Sequence, residues 1–384
     1  MILDGYRGTW ETQETDDLRE LVRNFMNKEI VPHQDTFIDN HQVDRELWNR
    51  AGDAGLLCIS IPEEYGGGGG TFAHEAIIMQ EQGFAGDAAW GNSVHSTIIA
   101  HYINTFGTEE QKKRWLPGMA TGELVAAIAM TEPGTGSDLQ SVKTKAVRDG
   151  DEYVINGSKT FISNGTHCDI LVIVARTSEE PGAKGVSLIV AEVADLPGFS
   201  RGRVLGKVGQ RGQDTRELFF EDMRVPVDNV LGGVEGRGFI QLMQQLPQER
   251  MAIAVAGATT AEAAVREAVA YAKEREAFGQ PIMKFQNTKF VLAECATEVF
   301  STRTFVDHLT QLHIDGKLTT EQASAGKYWA TDAQTNVIDR CLQVFGGYGY
   351  MMEYPIARMY ADARVQKIYG GTNEIMKELI SRGL

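Results

Sequence analysis

Cysteine is scarce in this chain. Cys58, Cys168, Cys295 and Cys341 lie far apart and form no CxxC pair. A zinc site or a disulfide framework is therefore not expected, which fits a reducing compartment. The eight histidines make no HExxH or similar spacing, so no metal is expected either. Positive charge is also short. Against 52 Asp and Glu there are 37 Lys and Arg, a formal net charge of -15. Bulk charge of that sign excludes nucleic acid and anionic membranes as partners. No apolar run is long enough to span a bilayer, so membrane insertion is not expected. Met1 to Glu20 lacks the basic-then-apolar layout of a signal peptide, and the expected compartment is the cytoplasm.

What is present is ample core material. Hydrophobic residues make up 42% and charged residues 23%, enough for two or three domains in 384 residues. The layout predicts three parts, at 1–123, 124–235 and 236–384. The first reads helical: Leu18, Leu21, Val22, Phe25 and Met26 recur at helical spacing, as do Ile98, Ile99, Tyr102 and Ile103. The second reads as a β-sandwich or barrel. Asn156-Gly157 predicts a hairpin turn between two short strands, and Ile170 to Ala175, Val186 to Val193 and Glu217 to Phe220 predict further strands. The third reads as four or five long antiparallel helices, a bundle. This order is not the βαβ alternation of a dinucleotide fold.

Three glycine-rich segments draw attention. Gly68 to Ala73 fits GxGxxA, but it follows a Pro62-Glu63-Glu64-Tyr65 loop rather than a strand and reads as a plain turn. Met130-Thr131-Glu132-Pro133-Gly134-Thr135-Gly136-Ser137-Asp138 offers close backbone approach and two hydroxyls for a flat cofactor or a phosphate. It reads equally well as an ordinary turn. Gln343 to Tyr350 and Ile368 to Ile375 pair glycine turns with a helix start capped by Thr or Asn. They fit either two helix caps without ligand or an anion site.

Glu249 stands out among the carboxylates. Leu242, Leu246, Glu249, Ile253 and Ala256 share one helical face, so a carboxylate interrupts an apolar stripe. Burial disfavours its charge and can raise its pKa by up to ~3–5 units. Such a group is a candidate general base for a weakly acidic C–H. The competing reading is a structural ion pair with Arg250 or another arginine. Pro247, two residues earlier, removes one helical hydrogen bond and is expected to kink the helix beside Glu249.

Taken together, these segments resemble the acyl-CoA dehydrogenase family. The Met130–Asp138 loop and Asn156-Gly157-Ser158-Lys159-Thr160-Phe161-Ile162-Ser163-Asn164-Gly165 resemble its two flavin-loop signatures. Arg275-Glu276-Ala277-Phe278-Gly279-Gln280-Pro281 with Gln286, Gln343 to Gly349, and Tyr369 to Ile375 resemble three more. The match runs through nearly the whole chain in order. It implies an N-terminal helical domain, a middle β domain and a C-terminal four-helix bundle. It also implies a homotetramer sharing FAD between subunits, and electron-transfer flavoprotein as acceptor. On this resemblance Ile128, Met130, Thr131, Gly136, Ser137, Phe161, Ile162 and Ser163 would hold the flavin ring and ribityl chain. Arg275, Phe278, Gln286, Gln343, Phe345, Gly346 and Gly347 would hold the adenine and diphosphate half of a neighbour's FAD. Thr372, Asn373 and Glu374 would touch FAD near its diphosphate. Ser137 would also meet the pantetheine arm and Lys184 the CoA part, with Gln248, Arg250, Gly370 and Gly371 at the substrate.

One departure is informative. Most of the family carries the catalytic Glu just after the Tyr of the fifth motif, where this chain has Gly370. The long-chain and isovaleryl branches place the base instead on the helix that opens the bundle, at the position of Glu249. The surrounding motifs resemble the long-chain branch. The resemblance implies α,β-dehydrogenation of a saturated acyl-CoA to the trans-2-enoyl-CoA. Glu249 would take the α-proton and FAD the β-hydride, with the Gly370 N–H polarising the thioester carbonyl. An oxygen-using flavin oxidase or monooxygenase on the same fold, and a CoA- or flavin-binding scaffold without turnover, are the competing readings. The acyl pocket is expected along the Ser93 to Tyr102 and Phe239 to Leu246 helices, with chain length and branching left open.

Overall fold

Threonines open the helices of the first part. In the computed structural model, which describes residues 1–384, Thr12, Thr71 and Thr108 are the N-caps of α1 (Gln13–Phe25), α4 (Phe72–Phe84) and α6 (Glu109–Ala120), each hydroxyl accepting a backbone N–H. Between them lie α2 (Gln34–Asn40), α3 (Arg45–Asp53) and α5 (His101–Phe106). The stretch before α5, Ser93–Ala100, is π-helical, wound one residue wider per turn than an α-helix. The apolar spacing shows a helix there but not its pitch.

The middle part is one curled sheet of seven strands. They are β1 (Ala126–Ala129), β2 (Lys145–Asp149), β3 (Glu152–Ser163), β4 (Ile170–Arg176), β5 (Val186–Glu192), β6 (Phe199–Val204) and β7 (Thr215–Pro226). β4 sits centrally, parallel to β1 and antiparallel to β5. Its unbroken apolar run reflects burial on both faces. Ile170, Val172 and Val174 pack with Tyr102, Trp115 and Leu242 of the helical parts. Leu171, Ile173 and Ala175 pack with Tyr153, Leu218 and Phe220 across the sheet's other side. No helix of the chain is long and apolar enough to cross a membrane.

The expected hairpin at Asn156-Gly157 is not there. β3 runs straight through it, with a bulge against β7 between Ile155 and Gly157. Glycine is required for a different reason: a Cβ at residue 157 would lie 2.5 Å from Thr144 Oγ1. The true turn is Gly150-Asp151, joining β2 to β3 where Asp149 pairs with Glu152.

The last part has three long helices: α7 (Gly238–Glu274), α8 (Gln286–Ile314) and α9 (Thr320–Val344). A two-residue ribbon, β8 (Glu276–Ala277) and β9 (Gln280–Pro281), separates α7 from α8. Two nine-residue helices, α10 (Pro355–Ala363) and α11 (Asn373–Ser381), close the chain. Pro247 does not end α7, which continues to Glu274. Small residues such as Ala254, Gly257, Ala258 and Ala261 let α7 approach its neighbours closely. A Cβ at Gly257 would already stand 3.4 Å from the Ala330 carbonyl oxygen of α9.

A buried ion pair closes the long loop between β1 and β2. The Lys159 ammonium donates to Glu132 Oε1 at 2.9 Å, to the Val174 carbonyl at 2.7 Å and to the Met130 carbonyl at 3.0 Å. Glu132 accepts as well from the Lys143 and Thr144 N–H groups at 2.7 and 2.9 Å. The Lys159 side chain is 0% exposed and that of Glu132 6%. Removing one partner strands the other charge, which typically costs about 3–5 kcal/mol. Lys159→Met should therefore lower unfolding free energy by an amount of that order in urea denaturation, and unchanged stability would refute the clip.

Candidate active site

Glu249 lies where its helical face predicts, 6% exposed and on the wall of a cavity of about 240 Å³. Ala252, Ile253, Ala256 and Thr260 continue that wall down α7. Met79 and Gly83 of α4 and Ser93, Val94 and Ile98 of the π-helical segment face them. Tyr369 and Gly370 form part of the same lining, as do Ser163, Gln334 and Asp362. The Ser93–Tyr102 helix therefore supplies wall residues as expected. The Phe239–Leu246 stretch supplies none, because α7 reaches the cavity only from Glu249 onward.

One donor reaches the carboxylate. Tyr102 Oη donates to Glu249 Oε1 at 2.8 Å, and Tyr102 is completely buried. Burial pushes the Glu249 carboxyl from its ordinary 4.5 up to about 7, opposed by the Tyr102 hydrogen bond and the Arg250 charge. Arg250 makes no ion pair with Glu249. It is 3% exposed and its Nη1 donates to Ser324 Oγ at 3.3 Å.

Gly370 sits in a tight turn at φ +65°, with Gly371 following at φ +91°. A Cβ on Gly370 would overlap Ile253 Cδ1, one turn from Glu249 on α7. The turn is fixed from behind by α9. Lys327 Nζ donates to the Gly371 carbonyl at 2.7 Å and to Asn373 Oδ1 at 2.9 Å. Asn373 Nδ2 donates to Thr331 Oγ1 and Asp332 Oδ1, both at 3.0 Å. Burial, and then the nearby Arg250 charge, push the Lys327 ammonium down to about 8.

The two glycine-loop segments meet beside this cavity. The Thr160 N–H donates to the Thr131 carbonyl at 2.9 Å, tying the Met130–Ser137 loop to β3 next to Phe161. Phe161 is held at φ +61° and stays 67% exposed, an unusual conformation and an unusual exposure for an aromatic residue. Gly134 and Gly136 face open space, with no atom within 4 Å of a Cβ at either. Ile128, Met130, Thr131 and Ser163 are partly exposed, Gly136 and Ser137 are exposed, and Ile162 is buried. Open backbone and one exposed ring suit a flat heteroaromatic group.

A second cluster lies apart from the Glu249 cavity. Phe345 stacks on Tyr271 with centroids 4.1 Å apart, and the Arg275 guanidinium lies 5.8 Å from the Tyr348 ring. These residues, with Gly346 and Gly347, line an open depression. Phe278 is 95% exposed at φ +53° on the β8–β9 turn, and Gln286 and Gln343 are exposed nearby in sequence. Thr372 is the N-cap of α11, its hydroxyl accepting from the Ile375 N–H, and Glu374 is exposed in the first turn. Lys184 is exposed on the loop before β5.

Three of the expected contact residues are engaged within the chain itself. Asn373 is 4% exposed and its side-chain amide bonds α9, so it braces the glycine turn. Gln248 turns away from the cavity and donates to the Thr97 carbonyl at 2.7 Å. Arg250 is buried on the α9 side, outside the cavity lining. Sequence patterns place helix faces only coarsely at positions that flank a functional residue. Tyr102 and Lys327 carry no motif that singles them out, and Lys159 lies in a flavin-loop signature that gives no sign of its ion pair. Tyr102 looked like one more apolar residue of its helix.

The chain matches three sequence models of one family. "Acyl-CoA dehydrogenase, N-terminal domain" covers residues 12–123, the middle domain 127–223 and the C-terminal domain 236–384. The long-chain specific acyl-CoA dehydrogenase of Sus scrofa mitochondria is 48% identical over 97% of this chain and 86% of its own. A short-chain specific acyl-CoA dehydrogenase of Clostridium acetobutylicum is 39% identical over 96% of this chain and 97% of its own. The crystal structure of an acyl-CoA dehydrogenase from Geobacillus kaustophilus superposes with a TM-score of 0.96 at 45% identity, covering 98% of this chain and 99% of that one. The fold and site are thus those of an FAD-dependent oxidoreductase. The chain belongs to the acyl-CoA dehydrogenase family.

The glycine turn gives a direct test of the cavity's geometry. Gly370→Ala forces a Cβ into the left-handed region and against Ile253, a strain of about 1–3 kcal/mol. The variant should melt lower and reduce its flavin more slowly with acyl-CoA. Wild-type values of both would contradict the close approach of turn and helix.

Proposed function

We propose that this enzyme dehydrogenates a saturated medium- or long-chain, or branched, acyl-CoA at Cα–Cβ with Glu249 as the base. The observation that carries the reading is the buried Glu249 carboxylate on the cavity wall, facing a lining that includes Gly370 where most of the family has its acid. When bound, FAD supplies the acceptor for the β-hydride.

The chain's own residues do the rest. Glu249 takes the α-proton, through the oxygen that Tyr102 leaves free. The Gly370 N–H donates to the thioester carbonyl as charge builds there. Small side chains at Gly83, Ser93, Ala252 and Ala256 leave room for an acyl chain. The loop from Ile128 to Ser137, with Phe161 to Ser163, would hold the flavin end. Ser137 and Lys184 would meet pantetheine and CoA, and Gly371 would lie beside the thioester. Thr372 and Glu374 would lie near the diphosphate. The Arg275, Phe278, Gln286 and Gln343–Gly347 cluster would hold the adenine half of a neighbour's FAD. Exposed Phe278 and Tyr350, 95% and 85% accessible in the single chain, support assembly, which we read as a homotetramer. Electron-transfer flavoprotein would take the electrons onward.

The base must be ionised to act. With its carboxyl held near pH 7, Glu249 is protonated and idle below that value, so flavin reduction should rise with pH through about 7 and level above it. The experiment is anaerobic bleaching of the flavin band by a long straight-chain saturated acyl-CoA. Wild type should bleach, and Glu249→Gln should bleach at least ~100-fold more slowly. A near-normal Glu249→Gln rate would remove Glu249 from this role. A yellow protein that no saturated acyl-CoA bleaches would remove the dehydrogenase reading.

A further inference from the structure

We propose that Tyr102 is a positioning residue for the base, fixing Glu249 through Oε1 so that the other oxygen points to substrate, and favouring the ionised carboxylate. This rests on the reading of Glu249 as the base.

The geometry is specific. The only hydrogen bond to the Glu249 carboxylate comes from the Tyr102 phenol, at 2.8 Å. The donor cannot swing, because the Tyr102 ring is fully buried in the core shared by β4, α6 and Leu242 of α7. The segment that carries it is bonded to α7 on both sides of this contact. Gln245 Nε2 donates to Thr105 Oγ1 at 2.8 Å and to the His101 carbonyl at 3.3 Å, while Gln248 Nε2 donates to the Thr97 carbonyl at 2.7 Å. Three neighbouring side chains of α7, Gln245, Gln248 and Glu249, thus dock on one stretch, Thr97–Thr105. Its π-helical part changes the angular setting of every residue after it, Tyr102 included.

No other group hydrogen-bonds the Glu249 carboxylate. Arg250 follows Glu249 on α7 but is turned to Ser324. Lys327 of α9 is engaged by Gly371 and Asn373. His101, beside Tyr102, is turned to another face of its helix, with Ser60 at 2.8 Å and Glu75 nearby. Asp87, Asp362 and Tyr369 line the cavity without bonding Glu249. Burial and the Glu249 charge push the Tyr102 phenol well above its ordinary 10, so it remains a donor through the working range.

A phenol that favours the anion opposes the burial that disfavours it. Tyr102→Phe keeps the ring and removes the donor. In the FAD-loaded enzyme, stopped-flow flavin reduction at saturating acyl-CoA should keep an alkaline plateau within about tenfold of wild type. Its acid limb should move up by about one pH unit, the size of one hydrogen bond to a charged group. An unmoved acid limb would overturn the proposal. Should Tyr102→Phe fail to fold, 3-fluorotyrosine placed at residue 102 provides the second arm. Its more acidic phenol donates more strongly and should move the limb down, and an unmoved limb again counts against the proposal. Glu249→Gln run in parallel separates the two readings. If it still reduces flavin rapidly, the base assignment fails. If it is inactive while both Tyr102 variants leave the limb in place, only the role of Tyr102 fails.

Discussion

A carboxylate taken out of water is a poor anion, and α7 takes Glu249 out of water by placing it on an apolar face. Hydrogen bonds and charges then decide how far its proton affinity climbs. Here a single phenol and one turned-away guanidinium oppose burial. They leave the carboxyl near 7, close to the pH at which a general base is most useful. A full ion pair with Arg250 would have kept it ionised but occupied. An unassisted carboxyl would have stayed protonated. Orienting Arg250 towards Ser324 leaves the carboxylate without an ion-pair partner.

That balance needs rigid surroundings, and buried cations supply much of the rigidity. Lys159 and Lys327 play similar parts in different domains. Each is buried, each donates to backbone carbonyls, and each secures a glycine-containing turn near the cavity. Burying an ammonium is expensive unless it is well bonded. Carbonyls that lack partners in irregular loops are natural acceptors for it. The loop after β1 and the Gly370–Gly371 turn have few ladder hydrogen bonds of their own, so these lysines stand in for secondary structure.

Much of this could be seen in the sequence, for definite physical reasons. Periodicity of 3.6 located the helical parts, and the carboxylate at Glu249 was visible because it broke that periodicity. The apolar run at Ile170 to Ala175 marked a strand, which the structure buries on both faces. What failed were features that depend on tertiary partners. Asn156-Gly157 has turn chemistry, yet its neighbour Thr144 and the pairing of β3 with β7 made it a bulge. The π-helical pitch of Ser93–Ala100 has no signature in composition. The intrachain partners of Gln248, Arg250 and Asn373 were equally hidden, because a helix turns about 100° per residue and adjacent residues face different neighbours. Tyr102 was legible as core and invisible as a donor, because a phenol contributes both an apolar ring and a polar tip.

Positions 249 and 370 constrain each other through the space they share. Both positions line one cavity, reached from α7 on one side and from the turn before α11 on the other. The turn approaches α7 so closely that even a methyl at residue 370 would overlap Ile253. A side chain at residue 370 would first have to displace the Ile253 Cδ1 methyl, which belongs to the same wall as Glu249. Carboxylates at both positions would share one cavity, where each negative charge disfavours the other. The left-handed φ of +65° at residue 370 independently favours glycine in that turn.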